Sequence, residues 1–138
     1  MHRILAVLVG VLALCAGSAL AQDAIPNLKG TWNVAASEFH VKGKGLLGEG
    51  AIGVWKFEEQ KGRIFHGVVE WDVKGKSHKG SDGFSGVIAK DNKTLYIAGH
   101  SEGLRIGNID GPDSMTMYFI IPGGAEPRAG FAELERVK

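Results

Sequence analysis

From Gly30 to the end, the chain is a succession of short runs rich in Val, Ile, Phe, Tyr, Trp and Thr, separated by turn chemistry. No segment sustains an apolar period of 3.6 over a dozen residues, which excludes helices as its building blocks. The connections Lys61-Gly62, Lys74-Gly75, Asp91-Asn92, Glu102-Gly103 and Gly111-Pro112-Asp113 are short and turn-forming. They predict eight strands, at 30–40, 51–59, 63–73, 78–89, 94–99, 104–110, 114–121 and 131–137. Successive short turns make an antiparallel meander, and eight such strands remove their exposed edges by closing. The expected fold is an all-β, eight-stranded up-and-down barrel. Of the 21 glycines, the 19 beyond residue 21 fit this picture as punctuation between strands.

Side chains alternate between the faces of a strand, so a period of two assigns each residue to the core or to solvent. Trp55 and Phe57 oppose Lys56 and Glu58, and Phe65, Gly67, Val69 and Trp71 oppose His66, Glu70 and Asp72. The same reading puts Phe84 and Ile88, Leu95 and Ile97, and Leu104 and Ile106 inside, with Met115, Met117, Phe119 and Ile121. Asp82 and Asn108 then fall on the inward register. Tyr118 and Ile120 make the outer face of their strand apolar as well, which suits burial against another subunit.

Gly30-Thr31-Trp32, entered through Ile25-Pro26-Asn27-Leu28, resembles the N-terminal motif of the calycin superfamily, the small lipocalin- and avidin-like barrels. The resemblance implies that a short turn plugs one barrel end and that Trp32 packs beneath a basic residue of the last strand. Arg136, in Leu134-Glu135-Arg136, is the candidate for that cation–π contact. Trp32 and Arg136 are therefore expected to be structural. The three tryptophans, Trp32, Trp55 and Trp71, all fall early, unlike the late pair that avidins use on biotin.

Ahead of this motif, residues 1–21 read as a cleavable export signal. They comprise a short polar start, an apolar run and an Ala19-Leu20-Ala21 cleavage site. Residues 22–138 are then a single barrel domain, secreted or periplasmic. The only cysteine, Cys15, leaves with the signal, so no disulfide supports the fold. Sixteen basic against fifteen acidic residues build no one-signed field, which argues against nucleic acid as a partner. Strands holding Lys56-x-Glu58 and Glu133-x-Glu135 supply no lipid-facing band, so the barrel is not expected to be membrane-embedded.

Gly43-Lys44-Gly45-Leu46-Leu47-Gly48 has G-x-G-x-x-G spacing, but a strand-like segment follows where a dinucleotide site needs a helix. Leu46 and Leu47 instead suit a mobile lid at the barrel mouth. The four histidines beyond the signal, His40, His66, His78 and His100, lack ligand spacing, so neither a metal nor another cofactor is expected. The chain has no nucleophile elbow and no catalytic residue is assigned. The expected activity is non-covalent binding of a small apolar or aromatic molecule. Trp55, Trp71, Phe84 and Met117 would form the wall, and Asp82 and Asn108 would orient a polar group. A second reading is a filled barrel acting through its outer surface, as an inhibitor or a homo-oligomeric assembly subunit. A third is a small-barrel cyclase or isomerase.

Overall fold

The structure, a computed structural model, describes residues 24–48, 51–73 and 78–138. The export signal and its cleavage site after Ala21 lie outside the described residues, as does the Lys74-Gly75 turn. Nine strands follow in order: β1 (Gly30–Val41), β2 (Gly45–Gly48), β3 (Ala51–Lys61), β4 (Ile64–Val73) and β5 (His78–Ile88), then β6 (Thr94–Gly99), β7 (Leu104–Gly111), β8 (Ser114–Ile121) and β9 (Arg128–Arg136). Each strand from β3 to β8 pairs antiparallel with the next, and β1 pairs with both β3 and β9. Eight strands thus close into an up-and-down barrel, as the meander of short turns requires.

The short β2 is a departure from the expected flexible lid over the glycine-rich segment. Residues 42–44 form a turn, and β2 pairs back onto the upper half of β1, with His40 opposite Leu46 and Phe39 opposite Leu47. On the other edge of β1, its ladder with β9 shifts register between Val34 and Ala36. Below this point β1 pairs with β3, from Gly30 opposite Phe57 to Asn33 opposite Val54; above it β2 takes the β3 edge. The ladder therefore satisfies the β1 backbone where β3 diverges from it.

The floor of the barrel is the end at which β1 begins. Leu28 is buried there and plugs the opening, while Trp32 Nε1 donates a 3.0 Å hydrogen bond to its carbonyl. The Arg136 guanidinium lies 4.2 Å above the Trp32 ring and donates to the carbonyls of Lys29 and Asn27, each at 2.7 Å. Its Nε faces Asp113 Oδ1 at 3.3 Å. Gln60 ties the plug to β3, accepting from Leu28 N and donating to Pro26 O, both at 2.8 Å.

Above the floor a column of aromatic rings fills the interior. Trp55 and Phe84 are 5.0 Å apart between centroids, Phe57 and Phe84 5.2 Å, and Phe57 and Phe65 5.4 Å. Ile88, Leu95, Ile97, Met115, Met117 and Leu134 close around them and are sealed from water. The glycines explain how so many rings fit. Several sit inside strands with no turn role, facing a ring at contact distance. A Cβ on Gly67 would lie 1.9 Å from the Lys56 carbonyl oxygen and 2.7 Å from the Phe84 ring, and one on Gly86 2.4 Å from Phe65. Glycine in a strand interior often marks such close approach.

Two outcomes follow. Gly67→Ala should cost about 1–3 kcal/mol of stability in urea unfolding, because neither the carbonyl nor the packed ring can retreat freely. In the β5–β6 turn, the Asp91 carboxylate accepts from the Thr94 hydroxyl at 2.6 Å and from the Thr94 and Lys93 amides at 2.8 and 2.9 Å. Bonding to Thr94 above all holds its pKa down at about 2 against an ordinary 3.8. Its contribution to stability is complete above the ordinary value and lost as pH falls through about 2. Asp91→Ala should therefore lower the urea midpoint at pH 6 and leave it nearly unchanged at pH 2.

Candidate functional site

The opposite end of the barrel, the mouth, carries the buried charges. Asp82 on β5 points inward, and its Oδ1 accepts from the Ser101 amide at 3.0 Å and the Ser101 hydroxyl at 2.9 Å. That bonding holds the turn between β6 and β7, where Gly103 takes φ +84° and its carbonyl accepts from Gly99 N at 3.1 Å. The other carboxylate oxygen, Oδ2, faces Arg105 Nη2 at 3.4 Å. Arg105 enters from β7 and is only 5% exposed, with its guanidinium carbon 5.7 Å from the Trp55 ring centre and 5.9 Å from that of Phe119. Gly99 makes the space: a Cβ there would lie 2.2 Å from Arg105 Nη1.

This arginine is incompletely satisfied. A guanidinium has five N–H donors, yet Arg105 Nε and Nη1 are buried without a hydrogen-bond partner among the described residues. Burial draws the group below the ordinary guanidinium pKa, opposed by the charge and hydrogen bond of Asp82. The group nevertheless remains a cation at physiological pH. Around the mouth, Glu102 pairs with Arg128, His100 Nε2 lies 2.9 Å from Ser85 Oγ, and the Trp71 indole packs against Gly80. Phe39 and Phe119, both half-buried, are 5.5 Å apart on the neighbouring wall.

The candidate site residues separate into groups. Trp55, Phe84 and Met117 point inward and are sealed within the packed core; Trp55 alone of these touches the mouth, through Arg105. Trp71 is half-buried near the mouth end of β4. Asp82 is inward and buried, whereas Asn108 is not inward. It lies on the outer face, donating to Asp110 Oδ1 at 2.7 Å, while Thr116 donates to the other Asp110 oxygen. The inward register of β7 is Arg105, Gly107 and Ile109, one residue out of step with the expectation, and Leu104 and Ile106 face outward. Apolar side chains on the wrong face caused the slip. The interior position is held by an arginine with a buried partner, and the next by a glycine that yields to Leu95 and Met117.

Leu46 and Leu47 are exposed on β2. Trp32 and Arg136 meet at the floor, beside a pocket of about 340 Å³ also lined by Pro26, Leu28, Ile109 and Pro112. There Arg136 is already engaged by two carbonyls and Asp113, so the floor offers a ligand no unmet donor of the kind seen at the mouth. No group of three His, Cys, Asp or Glu side chains suited to a metal occurs among the described residues. Arg105, the most distinctive side chain of the site, escaped the sequence reading. The available signal was a lone arginine at the position that pairs across to Ile97 in the β6–β7 ladder, where Ile97 is inward.

The fold and its mouth define a small closed β-barrel with one polar node in an apolar interior. A redesigned β-barrel is similar to it, with TM-score 0.56 and 15% identity over 80% of this chain and 92% of that one. A de novo designed fluorescence-activating β-barrel is similar at TM-score 0.52 and 13% identity, over 79% and 93%. The S-type phycobiliprotein lyase CPES from Guillardia theta is similar at TM-score 0.53 and 12% identity, over 80% and 89%. No family model matches the chain, and no curated protein matches it. At these identities the likeness establishes the barrel fold.

Removing one member of a buried ion pair is more damaging than removing both. Arg105→Met alone should destabilise by about 3–5 kcal/mol, because it strands the Asp82 carboxylate. Arg105→Met with Asp82→Asn should recover most of that loss, measured as a double-mutant cycle of urea unfolding free energies.

Proposed function

We propose that this chain is an exported, calycin-type barrel that binds one small, mainly apolar or aromatic molecule through its mouth, and that the ligand carries a carboxylate or a comparable acceptor. The observation that carries the reading is Arg105. A buried cation with unpaired N–H groups in an apolar interior is costly, and a bound anion supplies the missing partners through short charge-assisted bonds. Trp55 and Phe119 already flank the guanidinium, and half-buried Trp71 packs against the same core toward the mouth end of β4. Asp82 then acts as the positioning residue that holds the guanidinium in place. Such a site combines apolar walls with a few convergent polar groups, the usual make-up of a small-molecule pocket.

The packed column below Trp55 and Phe84 confines the ligand to the upper interior. Entry requires half-buried mouth side chains such as Phe39, Phe119 or Trp71 to change rotamer, since the free nitrogens are closed off from water. That a fluorescence-activating barrel has been designed on a similar fold supports the use of such a barrel for an aromatic molecule. Export, through cleavage after Ala21, is part of the proposal, and N-terminal sequencing of protein from its own host should begin at Gln22.

The probe for the site is 2-naphthoate compared with neutral 2-naphthamide, titrated by calorimetry and by tryptophan fluorescence. The carboxylate should bind at least about tenfold more tightly, and Arg105→Lys, which keeps the charge but loses the fork, should weaken it while remaining folded. Equal binding of the two probes, binding unchanged in a folded Arg105 variant, or no binding of either probe would overturn the reading.

A further inference from the structure

The outward face of the barrel is divided in two. On β3 and β4 it carries Lys56, Glu58, Glu59, Lys61, His66 and Glu70, several of them ion-paired. From Ile64, at the start of β4, through β5 to β9 it changes character. The ladder aligns Ile64, Val87, Tyr96, Ile106, Tyr118 and Phe131 side by side across six strands, each directly opposite the next. The parallel row nearer the mouth continues the pattern, with Ala98 opposite Leu104, Leu104 opposite Ile120 and Ile120 opposite Ala129. None of these positions is charged. Ile64 is 60% exposed, Tyr96 50%, Tyr118 48%, Leu104 44% and Ile120 43%.

We infer that this face is the interface of a homodimer, two copies of the barrel packed through β5–β9. Size is the first argument. The exposed residues present on the order of 500 Å² of apolar surface, the upper end of what a monomer tolerates. With a polar rim this approaches the about 800 Å² that each partner gives a standard interface. Charge is the second argument. A two-fold contact sets the same patch against itself, so any charge near its axis meets its own sign. A patch without charges escapes that penalty, and a chain with net charge of only +1 adds no long-range repulsion between copies. Shape is the third. Two twisted sheet faces with β-branched and aromatic outward side chains pack face to face at about 10 Å, as in a sandwich.

Sedimentation velocity of the purified protein across micromolar concentrations is the test. The expected result is a dimer mass that dissociates on dilution. Tyr118→Lys and Tyr96→Lys, both on exposed outward positions, should shift the protein to monomer with an unchanged far-ultraviolet circular dichroism spectrum. Lys56→Ala, on the charged half, should leave the dimer intact. A monomer at every concentration up to about 100 μM, or a dimer indifferent to both tyrosine substitutions, would overturn the inference. So would flotation of the protein with neutral phosphatidylcholine vesicles in a Tyr118-dependent manner, which would assign the face to lipid instead.

Discussion

The narrow interior of an eight-stranded barrel is the constraint on which everything else rests. It is wide enough for its own side chains or for one small ligand, and not for both at the same level. Trp55, Phe57, Phe65 and Phe84 occupy the middle at mutual distances of 5.0–6.4 Å. They fit because Gly67 and Gly86 remove the Cβ atoms that would collide with them. Ring and glycine form one unit: the aromatic supplies buried area in place of the disulfides the barrel lacks, and the glycine gives up its side chain to admit it. Filling the middle also decides where a ligand can go, since the mouth holds, in Arg105, buried donors without a hydrogen-bond partner among the described residues.

Two arginines illustrate how similar contacts serve different ends. Arg136 sits over Trp32 at the floor and Arg105 over Trp55 near the mouth, so both are held against an indole. At the floor two carbonyls and Asp113 complete the bonding of a guanidinium that is partly open to water. At the mouth the guanidinium is almost wholly buried, its one carboxylate partner is 3.4 Å away, and two nitrogens have none among the described residues. The first arrangement is complete as it stands and closes the barrel. The second is a buried cation with unused donors, the state that gains most from an anion.

Strand order and barrel closure were legible from the turns and from a period of two, because both are local properties. So was the pairing of Trp32 with Arg136, through the resemblance carried by Gly30-Thr31-Trp32. The role of the glycines was not. A glycine facing a ring across a strand pair reads the same as one in a turn until the register is known, as Gly67 and Gly86 demonstrate. The face of β7 was misread for a related reason. Periodicity ranks faces by apolarity, and on this strand the outer face is the more apolar, with Leu104 and Ile106 outward and Arg105 inward. Asn108 followed them to the wrong side. An arginine paired with an aspartate 23 residues away leaves no local trace of its burial. The short β2 was hidden because the glycines around it resemble a loop until β1 offers an edge.

The inward and outward features of β7 and β8 are also joined by the chain itself. Arg105 lies between Leu104 and Ile106, and Phe119 between Tyr118 and Ile120, so the mouth and the uncharged face alternate along the same two strands. A dimer contact on the outer residues would restrain the backbone that carries the guanidinium and the ring beside it. Ligand binding that required Phe119 to move would in turn be felt at Tyr118 and Ile120, one peptide away. Thermodynamic linkage makes any such coupling reciprocal: a dimer that binds more tightly than the monomer must be strengthened by its ligand to the same extent. The opposite half of the barrel, where Lys56 and Glu70 pair on β3 and β4, meets Arg105 and Phe119 through Trp55, the residue before Lys56. Its charges would oppose a further contact on that half, because such a contact would have to desolvate them.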